Sequence, residues 1–201
     1  MGHRLPSAVV AGRLFLAVPL AEAMRAALRA HLARATGGRP LPGRRTEPDS
    51  WHLTLRFLGA TDAVAGARLL DTLRHTALGP AFAIGFGGLG AFPRASRAQV
   101  LWIGVDAGVE PLRGLADAVE RAVVAAGFPP EPRRFSAHLT LSRLRPAHDV
   151  RPILAAAPTP PAVRQTVDAV VLYRSHLERD GPRYDALARF PLAVRPDPED
   201  A

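Results

Sequence analysis

The tetrapeptide His-Leu-Thr-Leu occurs twice in this chain of 201 residues, within HLTLRFLG at 52–59 and within HLTLSRLR at 138–145. The two octapeptides are identical at five of eight positions and begin 86 residues apart. Alternation of apolar and polar residues is typical of a β-strand with one buried face. We therefore expect both segments to be strands that occupy equivalent places in two related halves of the molecule.

The rest of the chain mixes strand and helix patterns. Strands are predicted at 13–18, 51–59, 82–92, 98–106 and 135–144, and a hairpin is predicted from 166–177 and 182–192 around residues 178–181. Helices are predicted at 19–35, from Thr61 or Asp62 to about residue 77, at 110–127 and, briefly, at 149–157. This order favours an α+β fold with two mainly antiparallel sheets, and the repeated strands indicate two related halves.

We expect a single domain of two related halves over residues 13–195, an N-terminal extension at 1–12 that is a candidate for disorder, and a disordered tail at 196–201. Arg13 interrupts the apolar run near the N-terminus, which favours a first strand over a signal peptide. No apolar stretch reaches the ~18 residues that a membrane-spanning helix needs. A cytoplasmic location without membrane association is therefore expected.

The amino-acid composition excludes some kinds of functional site and is compatible with others. The chain has no cysteine, which excludes disulfides, thiolate metal ligands and a cysteine nucleophile. Its formal net charge is +8, and all 26 basic residues are arginine, against 18 acidic residues. The choice of arginine over lysine suits the codon usage of a GC-rich genome, whereas the surplus of bases is compatible with a polyanionic partner such as RNA.

The repeated strands place polar side chains in a stripe, because residues i and i+2 of a strand share a face. The residues expected on that face are His52, Thr54 and Arg56 in the first strand and His138 and Thr140 in the second. The residues expected to face a core are Leu53, Leu55, Phe57, Leu139 and Leu141. Two such stripes would form the opposed walls of a cleft.

Two opposed imidazoles suit acid–base catalysis, since a histidine pKa near ~6.5 allows neutral and protonated rings to coexist. Threonine hydroxyls can donate to a phosphoryl group, and an arginine can neutralise its charge; Arg143 is the first candidate. The reaction that needs an acid, a base and an anion clamp, without a metal or other cofactor, is the in-line opening of a cyclic phosphodiester.

Other interpretations remain open at this point. The two stripes could belong to half-buried strands whose histidines and threonines form only local hydrogen bonds. A zinc site would need further ligands, and no acidic residue stands two or four positions from either histidine. GFGGLG at 85–90 matches a dinucleotide fingerprint, but the following Pro93 and strand leave no helix to receive a pyrophosphate.

Longer segments give the chain a family resemblance. It resembles the two-histidine phosphoesterases, and more narrowly the RNA 2',3'-cyclic phosphodiesterases, also called 2'-5' RNA ligases. The similar segments are RLFLAV at 13–18, WHLTLRFLG at 51–59, GLGAFPRASRAQVLWIGV at 88–105, HLTLSR at 138–143 and VVLYRSHLERDGPRYDALARFPL at 170–192. They cover almost the whole chain in the family's order.

The resemblance implies a bilobal, pseudo-twofold α+β fold with outer helices around a central cleft. It also implies a substrate, RNA with a terminal 2',3'-cyclic phosphate, and a 2'-phosphomonoester product. By the same analogy His52 protonates the leaving oxygen, His138 activates water, and Thr54, Thr140 and Arg143 bind the phosphate. Reverse 2'-5' ligation is compatible with this chemistry, tRNA fragments are among the candidate substrates, and a monomer is expected. The rival hypotheses are a phosphodiesterase for small nucleotides and an RNA-binding module without turnover.

Overall fold

The computed structural model of the protein describes residues 10–177 and 182–194. The expected tail at 196–201, the turn at 178–181 and all but the end of the expected N-terminal extension lie outside these residues. At that end Val10 is buried, and its carbonyl oxygen packs against Gly66 so closely that a side chain there would clash.

The described residues form nine strands and four α-helices. The strands are β1 Gly12–Pro19, β2 Arg44–Arg45, β3 His52–Thr61, β4 Phe82–Phe92, β5 Ala98–Ala107, β6 His138–His148, β7 Gln165–Val167, β8 Ala169–Leu177 and β9 Pro182–Pro191. The helices are α1 Glu22–Ala35, α2 Ala63–Arg74, α3 Val109–Ala125 and α4 Arg151–Ala156. These bounds agree with the predicted elements to within four residues at each end, except at β2, which was not predicted, and at the β7–β8 segment.

The strands form two antiparallel sheets, which confirms the predicted α+β class. One sheet has the order β3-β1-β8-β9, and the other has the order β2-β6-β5-β4-β7. The strands that contain the His-Leu-Thr-Leu motifs, β3 and β6, are called the motif strands. In one sheet β3 pairs with β1, which precedes α1, and in the other β6 pairs with β5, which precedes α3. The two motif strands contact each other where the sheets meet. The predicted pseudo-twofold relation is therefore visible in the topology.

Local chemistry explains where the helices begin and end. Asp62 caps α2, because its Oδ1 accepts a hydrogen bond of 2.8 Å from the backbone N–H of Ala65. Helix α3 begins after Gly108 and is followed by Gly127, and both glycines have left-handed backbones, with φ of 75° and 92°. One face of α3 is apolar and packs against the core.

The predicted first strand of the C-terminal hairpin is two strands instead of one. The chain leaves β7 at Asp168, and β7 pairs with β4 while β8 pairs with β1 in the other sheet. The Gln165 side chain ties the sheets together at this point. Its Nε2 donates to the carbonyl of Pro19 at 2.8 Å, and its Oε1 accepts from the N–H of Ala21 at 2.9 Å.

Candidate active site

Each motif strand contains a β-bulge directly after its His-Leu-Thr segment. In β3 the pairing partner of Leu16 is Arg56 and that of the next residue is Thr54, so Leu55 is the extra residue. In β6 the same shift between Ser142 and Thr140 makes Leu141 the extra residue. A bulge adds one residue to one strand and reverses the alternation of faces beyond it.

The bulges determine which side chains lie on the same strand face as the two histidines. Beyond the bulge in β6, Arg143 is exposed on the His138 face, whereas in a regular strand the third residue after Thr140 would face the other way. The expectation that Arg56 lies on the His52 face is wrong, and so is the expectation that Phe57 faces a core. Arg56 is 9% exposed on the opposite side, and Phe57 is 52% exposed.

Both histidines are held in the same tautomer by the same contact. The Nδ1 of His52 is 2.8 Å from the carbonyl oxygen of Ser50, and the Nδ1 of His138 is 2.8 Å from that of Ser136. Because a carbonyl can only accept, each Nδ1 carries the hydrogen and each Nε2 is left for proton transfer. These serines were not among the predicted site residues, although Ser-x-His precedes both motifs and extends the repeat by two positions.

Aromatic rings enclose both imidazoles. The ring centroid of His52 lies 4.8 Å from that of Phe15 and 5.2 Å from that of Tyr184, which meets it edge-on. On the other strand, His138 meets Phe92 edge-on at 5.2 Å and lies 6.1 Å from Trp102. These rings exclude water from one side of each histidine and restrict its rotation.

Burial lowers the pKa of both histidines in the free protein. The pKa of His52 falls to about 4, mainly because burial penalises the charged ring; the Ser50 carbonyl opposes this effect and the Arg143 charge adds to it. The pKa of His138 is also lowered, first by burial, against the Ser136 carbonyl and with a contribution from Arg143. Arg143 is therefore close enough to act on both imidazoles.

Thr54 and Thr140 lie two residues after the histidines on the same faces and are half-buried. Within residues 10–177 and 182–194, neither hydroxyl is hydrogen-bonded to another protein group. Both hydroxyls can therefore donate to a ligand between the strands. A cavity of about 160 Å³ adjoins this region and is lined by Asp49, Ser50, Trp51, His52, Tyr173, Arg183 and Tyr184.

The other motifs singled out in the sequence have structural explanations. GFGGLG lies inside β4, which is bulged and continues as a strand, so no helix opens at this glycine cluster. A Cβ at Gly90 would be 2.2 Å from the Trp102 ring, so this glycine makes room for the ring beside His138. The described residues contain no cluster of three or more His, Asp or Glu side chains that could hold a metal ion.

The candidate site comprises two imidazoles with available Nε2 atoms, two threonine hydroxyls and the Arg143 guanidinium, which are groups of the kind that can bind a phosphate. The family model that describes the 2'-5' RNA ligase superfamily matches residues 24–179, and the chain belongs to this superfamily. The resemblance stated from the motifs is thereby confirmed.

Curated relatives agree with this membership. The chain is 34% identical over 150 residues to an RNA 2',3'-cyclic phosphodiesterase of Aeropyrum pernix, covering 73% of this chain and 85% of the relative. It is 34% identical over 200 residues to the protein of that name from Thermus thermophilus, covering 90% of each.

Solved structures share the fold. Apo LigT of E. coli superposes with a TM-score of 0.75 at 28% identity, over 91% of this chain and 98% of that one. A crystal structure described as a phosphoesterase superposes with a TM-score of 0.77 at 28% identity, over 91% and 99%. Among the residues that our structure describes, no helix has the length and apolar character needed to cross a bilayer.

Proposed function

We propose that the protein is a metal-independent RNA 2',3'-cyclic phosphodiesterase, which hydrolyses a terminal cyclic phosphate to a 2'-phosphomonoester. The observation that carries this proposal is the matched pair of histidines, each with Nδ1 on a carbonyl and Nε2 available, on strands that also present a threonine. The relatives' name supports the substrate class. Crystal structures of E. coli LigT in complex with phosphate and with 3'-AMP are consistent with a phosphate-containing ligand for this fold.

The reaction adds one water across the P–O3' bond. Nε2 of His138 takes a proton from the attacking water as the new P–O bond forms. The P–O3' bond then breaks, and the protonated His52 gives its Nε2 proton to the departing 3'-oxygen. The phosphate remains on the 2'-oxygen, and proton exchange with solvent restores the starting forms of the two rings.

Thr54 and Thr140 donate to the non-bridging oxygens, and the Arg143 guanidinium balances the charge that builds on them in the transition state. The bound anion also changes the histidines. Its negative charge favours an imidazolium nearby and opposes the burial that lowers the pKa of His52 to about 4. Binding of the substrate therefore helps to create the protonated acid that the reaction needs.

The finer parts of the proposal concern the cellular role. The substrate is RNA with a cyclic phosphate end, tRNA fragments being one source, and the protein acts as a cytoplasmic monomer. When a 5'-hydroxyl takes the place of the attacking water, the same groups form a P–O5' bond as the P–O3' bond breaks. The product is a 2'-5' linkage, so weak ligation accompanies hydrolysis.

The test is hydrolysis of a short RNA with a 2',3'-cyclic phosphate end in the presence of EDTA. The expected product is heavier by one water and loses its phosphate to a phosphomonoesterase. His52→Ala and His138→Ala should each lower kcat/KM by about 10²–10⁴-fold. His75→Ala, at an exposed histidine after α2, is the matched control and should retain the wild-type rate. Full activity in His52→Ala, or loss of wild-type activity with EDTA, would contradict the proposal.

A second experiment separates the two histidine roles. A cyclic phosphorothiolate with sulfur in place of the 3'-oxygen has a leaving group that needs no proton. The variant that lacks the acid should recover most of its rate on this substrate, and the variant that lacks the base should not. Recovery by His138→Ala instead of His52→Ala would reverse the proposed assignment while leaving the overall reaction intact.

A further inference from the structure

A second arginine lies beside Arg143 on the cleft side of the five-stranded sheet. The short strand β2 lies where the sequence predicted neither a strand nor a helix. It pairs antiparallel with β6 so that Arg44 is directly opposite Arg143. Directly opposed residues of neighbouring strands share a face, and like charges in such a pair repel each other. The fold therefore brings two guanidinium groups to the same side of the sheet at this point.

Several contacts hold β2 in this position. Ser142 is fully buried, and its hydroxyl donates to the carbonyl of Pro42 and lies 3.3 Å from that of Arg44. The N–H of Thr46 donates to the carbonyl of Leu141 at 2.9 Å. Gly43 has φ of 75°, and a Cβ there would be 2.5 Å from the Arg143 carbonyl oxygen, so only glycine lets the strands approach. The pairing of the two arginines is thus a fixed feature of the fold.

Tyr184 shows that both arginines act on the same part of the cleft. Burial raises the pKa of its phenol, and the charges of Arg143 and then Arg44 oppose that rise. The Tyr184 ring also meets the edge of the His52 ring. Arg44 therefore lies, with its ladder partner Arg143, on the side of the sheet where the cyclic phosphate is proposed to bind.

The next residue of β2 lies on the other face. Arg45 lines a cavity of about 380 Å³ on that side, between α1, the 36–48 segment and the start of β3. Apolar groups make up much of its lining, including Leu32, Leu41 and Trp51, and the arginines that line it are Arg29, Arg39 and Arg45, with Glu47 as the acidic group. An apolar surface lined with arginines suits a nucleobase together with its phosphate.

We propose that β2 binds the RNA strand on the 5' side of the cyclic phosphate, with Arg44 on the next phosphate and an upstream nucleotide in the Arg45 cavity. This inference rests on the proposed function and narrows its substrate to oligonucleotides. A cyclic phosphodiester carries one negative charge, which Arg143 matches. A second guanidinium beside it matches a second phosphate, which an RNA strand has and a cyclic mononucleotide lacks. Because β2 is the edge strand of its sheet, no other strand of residues 10–177 and 182–194 lies across the path between its two faces.

The test compares kcat/KM for a 2',3'-cyclic mononucleotide with kcat/KM for a hexanucleotide that ends in the same cyclic nucleotide. The wild type should prefer the hexanucleotide, and Arg44→Gln and Arg45→Gln should each lower the ratio of the two values about 10-fold. Each variant should also reduce the slope of log kcat/KM against log salt for the hexanucleotide by about 0.7. Arg74→Gln, which removes an equal charge from the end of α2, should leave the ratio unchanged.

Equal kcat/KM for both substrates in the wild type would overturn the inference, as would a ratio that neither β2 variant changes or that Arg74→Gln changes as much. A wild type that opens neither substrate would instead contradict the proposed function. In that case fluorescence anisotropy with a hexanucleotide that ends in a 2'-phosphate decides the inference alone. Weaker binding by Arg44→Gln and Arg45→Gln than by Arg74→Gln would support it, and equal binding would overturn it.

Discussion

Replacement of Arg56 by methionine should destabilise the protein by disconnecting the first motif strand from the segment that leads to the second. The Nε of Arg56 donates to Glu120 of α3 at 2.6 Å, and Nη1 donates to the Phe57 carbonyl at 2.6 Å and to Glu131 at 3.3 Å. Nη2 donates to the carbonyl of Pro129 at 2.5 Å. The N–H of Glu131 also donates to Glu120, so the network joins β3, α3 and the approach to His138.

The size of the effect follows from the exposure of the partners. Hydrogen bonds to charged groups contribute about 1.5–3 kcal/mol each, but these contributions do not add once water can replace the arginine. The carboxylates of Glu120 and Glu131 are 29% and 23% exposed and can rehydrate, and methionine retains the packing of the aliphatic stem. We therefore expect a loss of about 3 kcal/mol, the low end for breaking a buried ion pair, and a Tm lower by about 6–12 °C.

Urea unfolding of Arg56→Met, Glu120→Gln and the double variant measures this effect as a double-mutant cycle. The single variants should lower the midpoint without changing the m-value, and together they should lose less than the sum of their separate effects. Arg113→Met is the matched control, because Arg113 forms an exposed pair with Glu110 and should lose less than about 1 kcal/mol. A loss below about 1 kcal/mol for Arg56→Met, or strict additivity with Glu120→Gln, would refute the reasoning.

Three further predictions concern pH and packing. The pKa of His52 is about 4 in the folded protein against an ordinary value of 6.5, so its contribution to stability is full above pH 6.5. As the pH falls to 4, the free energy of unfolding should decrease by up to about 3 kcal/mol. Urea titrations should show a weaker dependence of stability on pH in His52→Asn than in the wild type. The pKa of His138 is also lowered in the free protein, so kcat/KM should be highest below pH 6.5. In the complex the bound anion favours protonation of the histidines, so kcat should be highest at a higher pH. The same pH optimum for kcat/KM and kcat would contradict this. Gly90→Ala should displace the Trp102 ring, change the tryptophan fluorescence and lower stability by about 1–3 kcal/mol; an unchanged spectrum and urea midpoint would contradict it.

Much of the fold could be predicted because its signals are local. Alternation of apolar residues in β3 and β6, and the apolar face of α3 that ends before Gly127, are visible in short windows of sequence. The repeat itself indicated two related halves, and the sheets have the corresponding order. His52 and His138 were identified as the candidate pair for the same reason, since the repeat marks equivalent positions on equivalent strands.

The features that were missed depend on contacts between distant residues. The bulges at Leu55 and Leu141 arise from pairing with β1 and β5, and a single strand carries no sign of them. The assumption of regular alternation along the strand therefore assigned Arg56 and Phe57 to the wrong faces. Strand β2 is only two residues long and exists because Ser142 and the Leu141 carbonyl hold it against β6. Its two arginines are indistinguishable in sequence from those of a solvated loop.

The two halves are equivalent in backbone but not in electrostatics, and this difference bears on the direction of proton transfer. Arg143 is the fifth residue after His138, and the equivalent fifth residue after His52 is Phe57, so the repeat supplies one cation instead of two. Burial lowers the pKa of His52 to about 4, and at pH 7 only about 0.1% of the free protein would hold a proton there. The proposed acid is thus the less readily protonated ring, so the proposed direction requires the bound phosphate to raise its pKa. The backbone geometry would be the same if His138 were the acid and His52 the base. The substrate with a sulfur leaving group therefore tests which histidine is the acid, whereas the RNA hydrolysis assay tests only whether both are needed.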